Sequence, residues 1–159
     1  MIRLNLGCGK KRKDGYINID AQNNERVTPD VIADCKCLPY EDDSVDVIES
    51  YHLLEHMGRN EAIESLRHWF KLLKSNGTVI MELPDLEKDM ILFLEGNLEM
   101  IHSIFGRQRN EYDFHKYGYT KNTIERILKE IGFSNIRFEE ATDYHTKFEP
   151  CMRVIAQKR

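Results

Sequence analysis

The most constraining feature of the chain lies in its first nine residues. An apolar run, Ile2–Leu6, stops at Gly7-Cys8-Gly9. A short apolar run ending in glycines suits a buried parallel strand whose backbone must turn sharply at its carboxyl end. Tyr16–Ile19 and Val31–Ala33 repeat the pattern and end at Asp20 and Asp34, and Val45–Glu49 leads into Tyr51-His52-Leu53-Leu54-Glu55-His56. Thr78–Leu83, framed by Asn76-Gly77 and Pro84, is a fifth strand, and Phe133–Glu139 and Met152–Gln157 close the series.

Helical periodicity falls between these runs. Ile63, Leu66, Phe70 and Leu73 form one amphipathic stripe with Asn60 as the expected N-cap, and Trp69 beside it is read as core. Ile124, Ile127, Leu128 and Ile131 form another, capped by Thr120 and stopped by Gly132. The segment Leu86–Phe105 predicts one or two helices, and Gly106–Tyr119 is polar, aromatic and irregular. Alternating strands and helices predict an α/β fold with a mostly parallel sheet covered on both faces. At 159 residues, without linker or repeat, the whole chain 1–159 is expected to be one domain, with 86–119 as a lid or acceptor-side insert.

Parallel sheets bind ligands at the carboxyl ends of their strands, where strand order reverses. The residues expected there are a glycine turn and two carboxylates. Glycines let a ligand approach the backbone and present N–H groups to an anion. An ionised aspartate offers two acceptor oxygens to the paired hydroxyls of a ribose, a role that suits Asp20; Asp34, with the Cys35 N–H beside it, suits an adenine edge.

Leu4-Asn5-Leu6-Gly7-Cys8-Gly9 followed by Gly15-Tyr16-Ile17-Asn18-Ile19-Asp20 resembles the class I S-adenosylmethionine-dependent methyltransferases. Asp34 through Ile48, Leu53-Leu54-Glu55-His56-Met57, Leu72-Leu73-Lys74-Ser75-Asn76-Gly77 and Glu130-Ile131-Gly132-Phe133 are similar to later family motifs, in the family's order. The resemblance implies a single-domain, doubly wound, mostly parallel sheet of about seven strands with the last antiparallel. It implies S-adenosylmethionine as cofactor and S-adenosylhomocysteine as product. Leu6, Gly7, Cys8, Gly9, Asp20, Asp34, Cys35 and Tyr51 would bind the cofactor, and His52, Glu55 and His115 are the candidates for a catalytic base. One departure stands out: only Lys10–Gly15 separate the glycine turn from the second strand, where a helix is usual. That helix must shrink to a turn, with the loop lysines substituting for its positive end.

The remaining features narrow the class. Cys8, Cys35, Cys37 and Cys151 show no metal-ligand spacing, and no apolar run is long enough for a membrane. The start of the chain shows no secretory pattern, so a cytoplasmic location is expected. A formal charge of −4 argues against nucleic acid, and a small-molecule or sugar acceptor is expected, with a homodimer as an open alternative to a monomer. A nicotinamide dehydrogenase fits poorly, because Arg12 stands where a third glycine belongs and Asp20 arrives too early. A non-catalytic cofactor-binding or protein-interaction module is the rival reading.

Overall fold

The computed structural model describes residues 1–159. Seven strands form one sheet: β1 (Arg3–Leu6), β2 (Ile17–Asp20), β3 (Val31–Ile32), β4 (Val45–Tyr51), β5 (Leu73–Pro84), β6 (Ser134–Glu139) and β7 (Cys151–Gln157). Their order is β3-β2-β1-β4-β5-β7-β6, parallel from β3 to β5, with β7 antiparallel to both its neighbours. The chain winds outward from β1 to β3, returns to β1's other side at β4 and winds outward again. The reversal between β1 and β4 opens the crevice that such sheets use for ligands.

Strand register sorts the side chains. Leu4, Leu6, Ile19, Ile48, Val79, Met81, Val154 and Ala156 are buried in one core, which also takes in Leu66 and Trp69 of α1 (Arg59–Leu72) and Ile124 and Leu128 of α4 (Lys121–Ile131). α2 (Leu86–Leu94) and α3 (Met100–Phe105) follow β5 and pack on each other. Trp69 is fully buried and its indole N–H donates to the Cys35 carbonyl at 2.8 Å, so it is core, as expected. Thr120 caps α4 by accepting from Thr123 N at 3.2 Å, and Gly132 ends it at φ 119°. α1 differs from expectation. Its N-cap is Gly58, whose N–H is taken by the Glu61 carboxylate at 2.9 Å, and its buried face is Ala62, Ser65, Leu66, Trp69 and Leu72. β5 also starts earlier, at Leu73. Asn76 N donates to Lys158 O and Lys158 N to Gly77 O, so the Asn76-Gly77 turn is absorbed into the strand's pairing with the end of β7.

The first three crossovers contain no helix. The expected loss of the helix between β1 and β2 is therefore seen, and the expected helical cover of the second sheet face is absent over β1–β3. Six residues are too few for two helical turns, so Lys10–Gly15 settles as a loop tied down by asparagines. Asn5 and Asn18, paired across β1 and β2, hydrogen-bond each other at 2.9 Å; Asn5 Nδ2 also donates to Lys11 O, and Asn18 Oδ1 accepts from Lys13 N. Farther along this face Glu49 binds Lys13, Tyr16 and Tyr51, and Glu82 binds Arg153, Thr142 and the Asp143 N–H. The second face is a polar network bonded to loops, which satisfies buried carboxylates that a helix could not.

Candidate active site

Gly7 and Gly9 take φ values of 62° and 49°, the left-handed region that glycine enters freely. A Cβ on Gly7 would stand 2.8 Å from Leu53 Cδ1, so the turn is also packed too closely for a side chain. The turn delivers the Gly9 N–H to Asp20 Oδ2 at 2.8 Å, while Gln22 N donates to Asp20 Oδ1 at 2.9 Å. Each carboxylate oxygen keeps a lone pair for another donor. Gly7, Asp20, Ala33, Cys35, Leu53 and His56 line a cavity of about 240 Å³, closed on its far side by Tyr112, Phe114 and Lys116 of the 106–120 segment. A second cavity of about 560 Å³ adjoins the same glycine turn and is lined by Cys8, Gly9, Lys10–Lys13, Tyr51, Arg109, Tyr144 and His145.

The structure thus brings Gly7, Asp20 and Cys35 onto one wall and Cys8, Gly9 and Tyr51 onto another. Leu6 is fully buried in the core. Asp34 lines neither cavity: its carboxylate accepts from Lys36 N at 2.9 Å and pairs with the Lys36 ammonium. Burial and the neighbouring Asp34 charge push the Cys35 thiol up to about 12, and burial raises Cys8 as well, so both stay protonated at neutral pH. Tyr51 donates to Glu49 at 2.8 Å.

Beyond β4 the chain turns at His52, itself at φ 48°, into a single 3-10 turn, Leu54–His56. The His52 ring stacks on His145 at 3.8 Å between centroids, and its Nε2 lies 3.7 Å from Cys151 Sγ. Burial disfavours its cation, but the Cys151 contact and the Glu55 carboxylate outweigh this and raise it to about 10. The Glu55 carboxylate is the charge that favours the His52 cation. Glu55 is 1% exposed; burial opposes its ionisation, but His52 above all holds it well below the usual carboxylate range. His115, whose ring Nδ1 is 2.6 Å from Ser103 O, is kept neutral by burial. Its ring meets that of His56 edge-on at 4.9 Å. The three residues expected to supply a base are therefore close together but in different charge states.

Four features here had no sequence signal. Asp89, fully buried and hydrogen-bonded by Ser103 at 2.6 Å, has its pKa raised to about 7 by burial. Asp143, His145 and Cys151 reach His52 from a loop and strand some 90 residues away in sequence, a distance that only the sheet order closes.

Residues 14–81 match a family model described as a methyltransferase domain. This is the class I S-adenosylmethionine-dependent methyltransferase fold. Among similar solved structures, a SAM-dependent methyltransferase from Archaeoglobus fulgidus shares 17% identity over 98% of this chain and 85% of its own, at a TM-score of 0.69. A SAM-dependent methyltransferase from Methanosarcina mazei also shares 17%, over 98% and 91%, at 0.70. A Thermotoga maritima protein described as a SAM-dependent methyltransferase, possible histamine N-methyltransferase, shares 14% over 99% and 82%, at 0.70. No curated protein matches the chain by sequence. At these identities the structural likeness establishes the methyltransferase fold, and the methyltransferase domain match covers its β2–β5 half.

Proposed function

We propose that this methyltransferase moves a methyl group from S-adenosylmethionine to a small acceptor, a sugar or other small molecule, held in the larger cavity. The observation that carries the reading is Asp20, fixed by two backbone N–H groups on the wall of the 240 Å³ cavity beside a glycine turn. A carboxylate held in this way is pre-oriented to take a ribose diol, and the close approach at Gly7 leaves room for ligand rather than side chain. The smaller cavity suits the adenosine, with Cys35 and Ala33 along the adenine and Phe114 over it. Lys10 and Lys11, for which no carboxylate partner is found, lie beside the turn and suit the methionine carboxylate or an anionic group on the acceptor. By contrast Arg12, Lys13 and Arg109 are committed to Asp30, Glu49 and Asp113.

When bound, the sulfonium supplies an already activated methyl group. What this chain must add is alignment and the exclusion of water. Tyr51 and His145 on the wall of the larger cavity orient an acceptor, and the 106–120 segment shields the smaller one. We assign none of His52, Glu55 and His115 as the base. His52 and Glu55 face each other at 3.1 Å and line neither cavity, and His115 is turned toward Ser103. An acceptor atom that is nucleophilic without deprotonation, such as the nitrogen of an amine or amino sugar, fits this arrangement better than a sugar hydroxyl.

Calorimetry with S-adenosylhomocysteine tests the reading. Wild type is expected to bind in the micromolar range, about −8 kcal/mol, and Asp20→Ala to lose at least about tenfold, the worth of hydrogen bonds to a charged group. Equal affinity in the variant would remove Asp20 from the site, and no binding by wild type would leave the interaction-module reading in its place.

A further inference from the structure

His52-Leu53-Leu54-Glu55-His56 has the residue string H-x-x-E-H, which one class of zinc peptidase carries. On a helix its two histidines would share a face. Here it straddles the end of β4 and a 3-10 turn, so the histidines part. His52 goes to His145 and Cys151, and His56 goes to His115.

The second grouping has the makings of a ligand set. A carboxylate oxygen of Glu55 and one ring nitrogen each of His56 and His115 all lie within 4.8 Å of one another. Both rings are held from behind by backbone carbonyls: His56 Nδ1 lies 3.0 Å from Phe114 O, and His115 Nδ1 lies 2.6 Å from Ser103 O. A carbonyl can only accept, so each Nδ1 carries the proton and each Nε2 keeps its lone pair, the arrangement that metal-ligating histidines adopt. An independent observation points to a missing partner. Glu55 is 1% exposed, yet neither of its carboxylate oxygens accepts a hydrogen bond. His52 Nδ1 stands 3.1 Å from Oε1, a charge contact without hydrogen-bond alignment. His52 faces Oε1 alone, and the remaining acceptor positions of this buried carboxylate are costly unless something fills them.

We propose that Glu55, His56 and His115 bind one divalent transition ion, with zinc as the best match. Two imidazoles and one carboxylate form a known three-ligand zinc set, which leaves a fourth position for water or a ligand atom. The ligands come from two stretches 59 residues apart, and the backbone already joins them: Lys116 N and Tyr117 N both donate to Glu55 O. The ion would rivet the 114–117 segment to the end of β4, and so hold Phe114 and Lys116 over the smaller cavity. This clamp does not depend on which methyl donor or acceptor the protein uses.

The test is metal binding by the chelator-stripped, dialysed protein, using zinc in calorimetry and elemental analysis and cobalt(II) in visible spectroscopy. One zinc per chain is expected, with the strong visible bands of four- or five-coordinate cobalt. Glu55→Gln and His115→Ala should each weaken zinc by more than about 100-fold, beyond the loss typical when only a hydrogen-bond partner of a ligand is removed, and should abolish the cobalt bands. His145→Ala and Cys151→Ala, each of which breaks one of the two neighbouring groupings around His52, should both keep both signals. Circular dichroism of each variant checks that it folds; if Glu55→Gln does not, His115→Ala, His145→Ala and Cys151→Ala decide. Failure of the folded wild type to take up zinc or cobalt would overturn the proposal. So would uptake that survives His115→Ala, or uptake that is lost in His145→Ala or Cys151→Ala.

Discussion

At the scale of single residues, backbone conformation and hydrogen bonds decide what each position tolerates. Gly7 is constrained twice, by φ 62° and by Leu53 Cδ1 at 2.8 Å from any added Cβ. Gly7→Ala is therefore expected to cost about 1–3 kcal/mol in urea unfolding, the range for a non-glycine residue held in a disfavoured region. Combining it with Leu53→Ala should cost less than the sum of the two, because the clash is relieved while the torsional strain stays. Strict additivity would show that the Leu53 contact is immaterial. Asp30 carries an acid-dependent share of stability. The Asn18 N–H at 2.9 Å, then the Arg12 guanidinium and the Asn18 amide, hold its carboxyl at about 2, below the ordinary 3.8. A depressed carboxylate stabilises the fold above its unfolded pKa and loses that contribution as pH falls through the folded one. The melting temperature of wild type should exceed that of Asp30→Asn by a constant margin above about pH 5, and the margin should close as pH approaches 2. A margin independent of pH would mean the Asp30 charge is not what matters.

At the scale of elements, the two core helices set a capped start against one without a side-chain cap. Thr120→Ala removes the side-chain oxygen that accepts from Thr123 N and is expected to cost about 1 kcal/mol, read from thermal or urea unfolding. Asn60→Ala is expected to be nearly neutral, within about 0.5 kcal/mol, because the N-cap of α1 is Gly58, whose N–H is bonded by Glu61. The reverse ranking would place the α1 cap at Asn60 after all. This contrast also shows why some elements were legible in the sequence and others were not. α4 carries its own signals at both ends, Thr120 and Gly132, and a clean stripe between them. The start of α1 is set by a glutamate reaching back to a glycine, which no side chain at the cap position announces. The strand runs were readable because parallel strands are continuous apolar segments, although the early start of β5 comes from distant partners, Val45 of β4 for Leu73 and Lys158 for Asn76 and Gly77.

At the scale of the whole molecule, the glycine turn, Asp20 and Cys35 were legible because they sit at consecutive strand ends, where one winding rule places a ligand. The orientation of Asp34 was not legible. Its neighbour Lys36 draws the carboxylate outward, and this is decided by the local turn rather than the topology. Nor could the meetings of the histidines be read: His145 returns to His52 on the loop between β6 and β7, and His115 reaches His56 on the segment between α3 and α4, which is bonded to Glu55 O. The missing first crossover helices pose the last question, namely what shields a ligand once that cover is gone. The wall opposite Asp20 is built by Glu111, Tyr112, Phe114 and Lys116, in a segment anchored at one end by the bonds of Lys116 and Tyr117 to Glu55 O. The near end, 107–113, is tied mainly to itself, through Arg109 and Asp113. Few bonds to the rest of the protein should make that stretch open easily, and a ligand against Tyr112 and Phe114 should suppress the opening. Hydrogen exchange with and without S-adenosylhomocysteine is therefore expected to show added protection in three places: the turn at 7–9, the strand ends at 20–22 and 33–37, and the segment 107–116. Protection at the first two without the third would mean that the cofactor binds in an open groove, leaving acceptor binding as the event that closes it. Protection at 107–116 alone would move the ligand off the strand ends, and with it the role given to Asp20.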